Sequence, residues 1–360
     1  MTPTDPLPGA VRWDKKALSL QARTEIQQLI KREPLHFLVQ LALAWAVIVG
    51  AIAWALVSQS VWVSALAVFL VATRQNLLGL LVHEQAHCLA FKARWGDLFV
   101  DLTAANALLV LTVSRYARVH LSHHRYYFTK EDPDFLRKSG ADWTIPMTAS
   151  RLAKLFLTDL LGLNLVKLLK SKRTTGNRGG VTLFPRPCRP GWVRPAYYLV
   201  AAAIFTATGS WHIFLLFWLL PLVTVGQVIV RLGAISEHKY NLPNAAVEES
   251  SPLIIPVWWE KLLLPNLNFT LHAYHHFFPG IAFCHLPKVH RIFRQEGLVD
   301  EAHVFHGYLP FLGFMVTQEK RASSPPRGRA PSAPAGGEAP QGVAAGDNVG
   351  RTVGAQSQRF

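Results

Sequence analysis

Cysteine is scarce in this chain of 360 residues: Cys88, Cys188 and Cys284 are the only three, and none sits in a CxxC pair. That argues against a disulfide scaffold or a zinc ribbon, and each cysteine reads as filler. Charge is scarce as well, at 16% of residues, and acids are outnumbered, 22 Asp and Glu against 37 Lys and Arg, a formal +15. No basic recognition helix or aromatic-rich strand motif accompanies the excess, so no nucleic-acid partner is expected. Cationic loops beside anionic lipid headgroups account for it. A secretory signal is not expected either, because the first apolar run follows some thirty polar residues and shows no small-residue cleavage pattern.

Long apolar runs are what the chain has instead. Leu35 to Val57 contains no Asp, Glu, Lys or Arg, enough length to cross a bilayer at about 1.5 Å per residue. Val61 to Ala72 and Leu77 to Val82 continue the pattern around the polar "TRQN" at 73–76, and Tyr197 to Thr208 with Trp211 to Val230 form a second pair. The expected fold is an all-α integral membrane protein with four transmembrane helices in two hairpins. The turns "SQS" and "GSWH" lack Lys and Arg, whereas Lys92 to Arg194 includes Arg115, Arg118, Lys170, Lys172 and Arg173. The N-terminal stretch carries Lys15, Lys16, Arg23, Lys31 and Arg32. Positive-inside bias then puts both termini and the long middle segment in the cytosol.

Between and beyond the spans, three divisions are expected: a cytosolic N-terminal segment, 1–34; a membrane catalytic domain, 35–320; and a disordered Ala/Pro/Gly-rich tail, 321–360, too poor in apolar surface to fold. Residues 104–113 are apolar but too short to span, so they read as buried or interfacial. Residues 150–172 alternate leucines with Lys and Asp at helical spacing and suit an amphipathic helix on the membrane. Residues 173–195, rich in Gly, Pro and Arg, read as loop. Trp258 and Trp259 suit the membrane interface.

The chemistry lies in histidine. Of 15, nine fall in four groups: His83 and His87 in "HEQAH"; His120, His123 and His124 in "HLSHH"; His238 in "SEHKYN"; His272, His275 and His276 in "HAYHH". Spacings of three and four put each group on one helical face. "HEQAH" matches the H-E-x-x-H of zinc proteases, with Glu84 as base. One zinc, however, takes only three or four protein ligands. Eight or nine imidazoles, all beyond an even number of crossings and so on one side of the membrane, suit two metal ions, and imidazole suits iron among others. Paired histidines clasping haem inside the bilayer are disfavoured, because the groups lie outside the spans. His36, His212, His285, His290, His303 and His306 follow no ligand spacing.

"HEQAH", "HLSHHRYYFTKEDPDF" and "NFTLHAYHHFFPGIAFCHLP" resemble the three histidine boxes of the membrane fatty acid desaturase and hydroxylase superfamily, over roughly residues 35–310. Asp132-Pro133-Asp134 after the second box and the Asn268, Phe269, Pro279 frame around the third belong to the likeness. "SEHKYN" resembles the isolated Glu-His of a bacterial branch, and "HHFFPGIAFCHLP" resembles bacterial members with non-standard substrates. One departure is Ala234, where some members carry Asn four residues before the lone histidine. The resemblance implies a non-haem diiron centre, a cytosolic helical cap holding it, location in the bacterial inner membrane, and dioxygen as co-substrate.

The metal ligands so implied are His83, His87, His120, His123, His124, His238, His272, His275 and His276, with Glu84, Asp132, Asp134 and Glu237 as candidates to orient their rings. Asp132-Pro133-Asp134 also reads as plain turn chemistry. The reaction implied is desaturation of a fatty acyl chain; hydroxylation, or desaturation of a specialised small metabolite, is the alternative on the same fold. No fused cytochrome b5 signature or rubredoxin-type CxxC is present, so a separate ferredoxin-, rubredoxin- or cytochrome-type electron donor is expected, for which the basic face offers a docking role.

Overall fold

The computed structural model describes residues 9–109, 111–138, 140–164, 186 and 190–322, all inside the unit Met1–Ser324. Most of the expected tail, the end of the expected amphipathic helix and most of the 173–195 loop lie outside the described residues.

Ser19 opens α1 (Leu20–Gln28) by accepting a hydrogen bond from the Ala22 N–H at 3.1 Å, the usual service of an N-cap hydroxyl. Pro34 starts α2 (Pro34–Ser58), which Gln59 ends in the left-handed region. The buried residues of α2 are Phe37, Leu41, Ala44, Ile48, Ala51 and Ala55. They alternate four and three apart, the seam that keeps one helix face against a neighbour. Alanines on that seam let backbones approach closely. Leu38, Leu43, Val49 and Trp54 are exposed on the other faces, as in a helix whose solvent is lipid. After Gln59 and Ser60 the chain returns as α3 (Val61–Ala86).

Next come α4 (Ala93–Val100), a π-helical turn at Asp101–Ala105, α5 (Val113–Arg125), α6 (Pro133–Lys138), α7 (Ala149–Leu160), α8 (Val193–Ala207) and α9 (Trp211–Glu237). Three of these, α2, α3 and α9, are long and apolar enough to cross a membrane. The expected fourth crossing falls in α8, which has 15 residues. It rises about 22 Å, short of the roughly 30 Å hydrocarbon core, and Gly209 at φ +64° lies just past its end. Among the described residues, three helices thus have the length and composition to cross, and α8 is a shorter apolar helix.

Helix α9 is not regular. It contains a second π-helical turn, Leu215–Leu219, and a break at Thr224 just past Pro221. Pro221 supplies no N–H for the Phe217 carbonyl, which falls in the π-helical turn, so that irregularity has a cause. Gly226 makes the break sterically feasible: a Cβ there would lie 2.8 Å from the Pro221 carbonyl oxygen.

Helix α7 does not simply float on the membrane. It buries Leu152, Leu155 and Asp159, and Asp159 forms a buried ion pair with Arg231 of α9. The Arg231 guanidinium also lies over the Trp143 ring at 4.6 Å. Leu157 and Leu160 remain exposed.

The C-terminal region, called the cap below for its place over the third box, contains α10 (His272–Phe277), α11 (Leu286–Gln295) and α12 (Tyr308–Ala322), with a two-residue parallel pair joining Leu253–Ile254 to Val304–Phe305. From residue 9 onward the described N-terminal stretch packs on this region. Ala10, Val11, Leu18, Ala22, Ile26 and Leu29 share one core with Phe277, Phe278 and Phe293, and Trp13 stacks on Phe277 at 4.7 Å. Trp258 and Trp259 are exposed.

Candidate metal centre

Helix α3 has 26 residues and rises about 39 Å, roughly 9 Å more than the hydrocarbon core needs. The surplus carries chemistry. His83 and Glu84 lie in its last turn and His87 caps it, so the first box sits on the same helix, in the part that extends past the hydrocarbon length. Likewise Glu237 ends α9 and His238 caps it. Helix α5 is opened by Thr112, which accepts from Arg115 N–H, and by Asp101, which accepts from Val113 N–H at 2.9 Å; it carries His120, His123 and His124. The third box forms α10, fixed from below by Asn268, whose side chain donates to the Phe283 carbonyl at 3.1 Å.

These elements bring the nine histidines into two constellations. His83, His87, His120, His124 and His275 converge in one, and His123, His238 and His276 in the other. His272 joins the second: its Nε2 lies 3.1 Å from His276 Nε2, and its ring centroid 4.7 Å from that of His238. The rings of His124 and His276, one from each group, stack at 4.2 Å.

Hydrogen bonding alone cannot satisfy this arrangement. A neutral imidazole Nε2 has either one N–H or one in-plane lone pair. Yet His124 Nε2 lies 3.0 Å from both His120 Nε2 and His275 Nε2, and His238 Nε2 lies 3.2 Å from His123 Nε2 and 3.1 Å from His276 Nε2. Nitrogens about 2.1 Å from a common cation and at right angles to each other stand about 3.0 Å apart. Several further ring atoms are buried without a partner among the described residues: both nitrogens of His83, His87 Nε2, His272 Nδ1 and His275 Nδ1. Such orphans are rare without an ion or water to take them. The donor set therefore fits two metal ions.

Burial also keeps the rings neutral, as a ligand must be. It lowers His120, His124, His238, His272, His275 and His276 well below the ordinary imidazole value, with neighbouring histidines adding to the effect. Burial and then Arg186 bring His87 to about 3.

Of the four residues expected to orient rings, one does so. Asp132 is fully buried; its Oδ2 lies 2.7 Å from His123 Nδ1 and also accepts from Phe128 N–H. Its Oδ1 accepts from the Asp134 and Phe135 N–H groups at 2.9 and 3.1 Å. Turn chemistry and ring orientation thus reside in one carboxylate. Asp134 instead meets Lys138 at 2.9 Å, Arg137 at 2.5 Å and the Tyr240 hydroxyl at 3.3 Å. Glu84 Oε2 is buried without a partner among the described residues, and neither Glu84 nor Glu237 has a hydrogen bond to a histidine ring among them. For Glu84 helix geometry gives the reason, since a neighbour in sequence points about 100° away around the axis.

Other partners had no sequence signal. His238 Nδ1 faces the Tyr127 hydroxyl at 3.1 Å and Ser251 Oγ at 3.0 Å, and Tyr116 stacks on His120. Arg186 pairs with Asp97, and its guanidinium donates to the Gln85 and Ala86 carbonyls at the end of α3. Among the remaining histidines, His285 pairs with Glu33 at 2.7 Å, His290 with Tyr274 at 2.9 Å and His303 with Asp300 at 2.8 Å.

Residues 60–308 match the model of the fatty acid desaturase family. The chain belongs to that family and is an oxidoreductase. It is also similar to the dihydrorhizobitoxine desaturase of Bradyrhizobium elkanii, 27% identical over 262 residues that cover 69% of this chain and 73% of that protein. Against that family, the H-E-x-x-H of the first box is not a protease site: His83 and His87 meet three further histidines rather than one more ligand.

Proposed function

We propose that the protein is an oxygen-dependent desaturase that introduces a carbon–carbon double bond into an alkyl chain, with the nine histidines holding two iron ions. The observation that carries this reading is the pair of converging imidazole constellations, in a chain of the desaturase family. Bound there, the irons would supply dioxygen activation and the oxidation of unactivated C–H bonds.

Overall, dioxygen accepts four electrons and four protons and leaves as two waters. Two electrons and two protons come from the carbons that become the alkene. The other two electrons come from a separate ferredoxin-, rubredoxin- or cytochrome-type protein, with two protons from solvent. The chain's own residues hold and orient. Asp132 accepts a hydrogen bond from His123 Nδ1–H and so directs the Nε2 lone pair inward. Tyr127 and Ser251 fix the His238 ring. The close-packed core around Phe277, Phe283 and Phe293 limits access of bulk water to the third box.

The lysine- and arginine-free turns support an inner-membrane protein with cytosolic termini and site, α8 serving as the fourth, shortened crossing. A fatty acyl lipid is the substrate class the family supports. A specialised small metabolite is the second reading, favoured by the similarity to dihydrorhizobitoxine desaturase.

The test is elemental analysis of detergent-purified protein, followed by oxygen uptake with a chemical reductant. Two irons per chain and reductant-dependent uptake are expected. One zinc, with no uptake after iron loading, would overturn the proposal.

A further inference from the structure

Residues 104–108 pack on α3 along the stretch that leads into the first histidine box. Ala104, Ala105, Ala107 and Leu108 share a core with Leu77, Leu78, Leu81 and Val82, and a Cβ on Gly79 would meet Leu108 at 3.9 Å. Gly79 precedes His83 by four residues, about 6 Å along the axis. Beside these apolar contacts sits Asn106, whose backbone carbonyl accepts from the Tyr198 hydroxyl at 3.1 Å. It is 0% exposed, and neither its Oδ1 nor its Nδ2 has a partner among the described residues.

A buried amide without hydrogen bonds costs on the order of 1–3 kcal/mol, and the backbone here offers no conformational reason for asparagine: φ is −65° and ψ −34°. A leucine would fill the same space without that cost. The residue just before it closes a π-helical turn, Asp101–Ala105, an irregularity that clusters at functional sites.

The second π-helical turn reaches the residue that follows Asn106. Trp218, in Leu215–Leu219, donates its indole N–H to the Ala107 carbonyl at 2.8 Å. Its own carbonyl accepts from Gln75 Nε2 at 2.8 Å. Gln75 is 2% exposed and its Oε1 is again unpartnered. Trp45 stacks on Trp218 at 5.5 Å with the planes 2° apart. Trp218 thus links the two buried amides, its indole N–H bonding the residue after Asn106 and its backbone carbonyl bonding Gln75.

We propose that Asn106 binds an uncharged hydrogen-bonding group of the substrate, with Gln75 Oε1 as a second acceptor. The amide offers one donor group and one acceptor, so its complement is a group that both accepts and donates: a primary amide, a hydroxyl or a protonated carboxyl. A purely hydrocarbon segment would leave both atoms of Asn106 unpaired. This rests on the desaturase reading and narrows its substrate to a molecule carrying such a group near the carbons that react.

The experiment uses metal-loaded, detergent-purified protein and its Asn106→Leu and Gln75→Leu variants. Metal content, thermal unfolding and binding of octanamide, octanol and octane are measured on each. The unaltered protein should bind octanamide and octanol more tightly than octane. Asn106→Leu should keep its metal, melt at a higher temperature and lose about tenfold of that preference, one hydrogen bond's worth; Gln75→Leu should lose less. An Asn106→Leu variant that melts lower or fails to fold would make the amide structural and overturn the proposal, as would an unchanged preference. If the unaltered protein took up no iron yet preferred octanamide through Asn106, the desaturase reading would fail while this one stood.

Discussion

Asp132 holds His123 with one carboxylate oxygen and, with both oxygens, closes the turn that leads into α6. Replacing it by Asn keeps much of the turn, because the amide oxygen still accepts, but an Asn oriented that way no longer matches the ring with a charge. Asp132→Asn should therefore fold, lower activity or metal affinity about 10–100-fold, and lose metal from the His123 constellation first. Iron per chain and oxygen uptake, measured together, check this.

The two constellations can be emptied separately. His272→Ala should remove metal from the His123–His238–His276 side and leave the other loaded, and His124→Ala should do the reverse. Each variant should hold close to half the iron of the unaltered protein, with turnover lost in both. Loss of all iron from His272→Ala would mean that the two sites fill only together.

Asp134 gives a pH prediction. Burial opposes its ionisation, but Lys138 and Arg137 outweigh that and hold its carboxyl well below the usual range. A depressed folded pKa stabilises the fold fully above the unfolded value of about 4. The contribution is lost as pH falls from there toward the folded pKa, because the unfolded chain takes up the proton first. Asp134→Asn should be less stable at pH 7 and show a flatter loss of stability between about pH 5 and pH 2, read by thermal unfolding across that range.

The α2 seam is a packing prediction. Ala44 is 0% exposed while its neighbour Leu43 is 54% exposed. Ala44→Leu should overpack the hairpin and cost about 1–3 kcal/mol. Leu43→Ala, facing lipid, should change stability by less than about 0.5 kcal/mol. Detergent-solubilised melting curves separate the two.

The histidine boxes were legible because three- and four-residue spacings survive as helical faces whatever the fold does around them. Their division into two groups was partly implicit as well. His123 and His124 are adjacent, so on one helix they point about 100° apart, and a single centre could not use both easily. What the sequence hid is tertiary. Ser251 reaches His238 from a loop thirteen residues away, and Arg186 reaches the end of α3 from across the chain. The burial of Val11, Leu18 and Ile26 against the third box was hidden too, because scattered apolar residues in a polar stretch carry no period. Hydropathy registered the apolar run of α8 but not its length as a helix, which ends just before Gly209.

Helices α5 and α10 each send rings into both constellations, and α10 has only six residues, too few to persist alone in water. The cations would then act as cross-links in maturation: the last fasteners of the cap rather than passengers in a finished pocket. Chain made under metal starvation should reach the membrane with its spans in place and its cap loose, and quality-control proteases would meet the region around 272–277 before anything else.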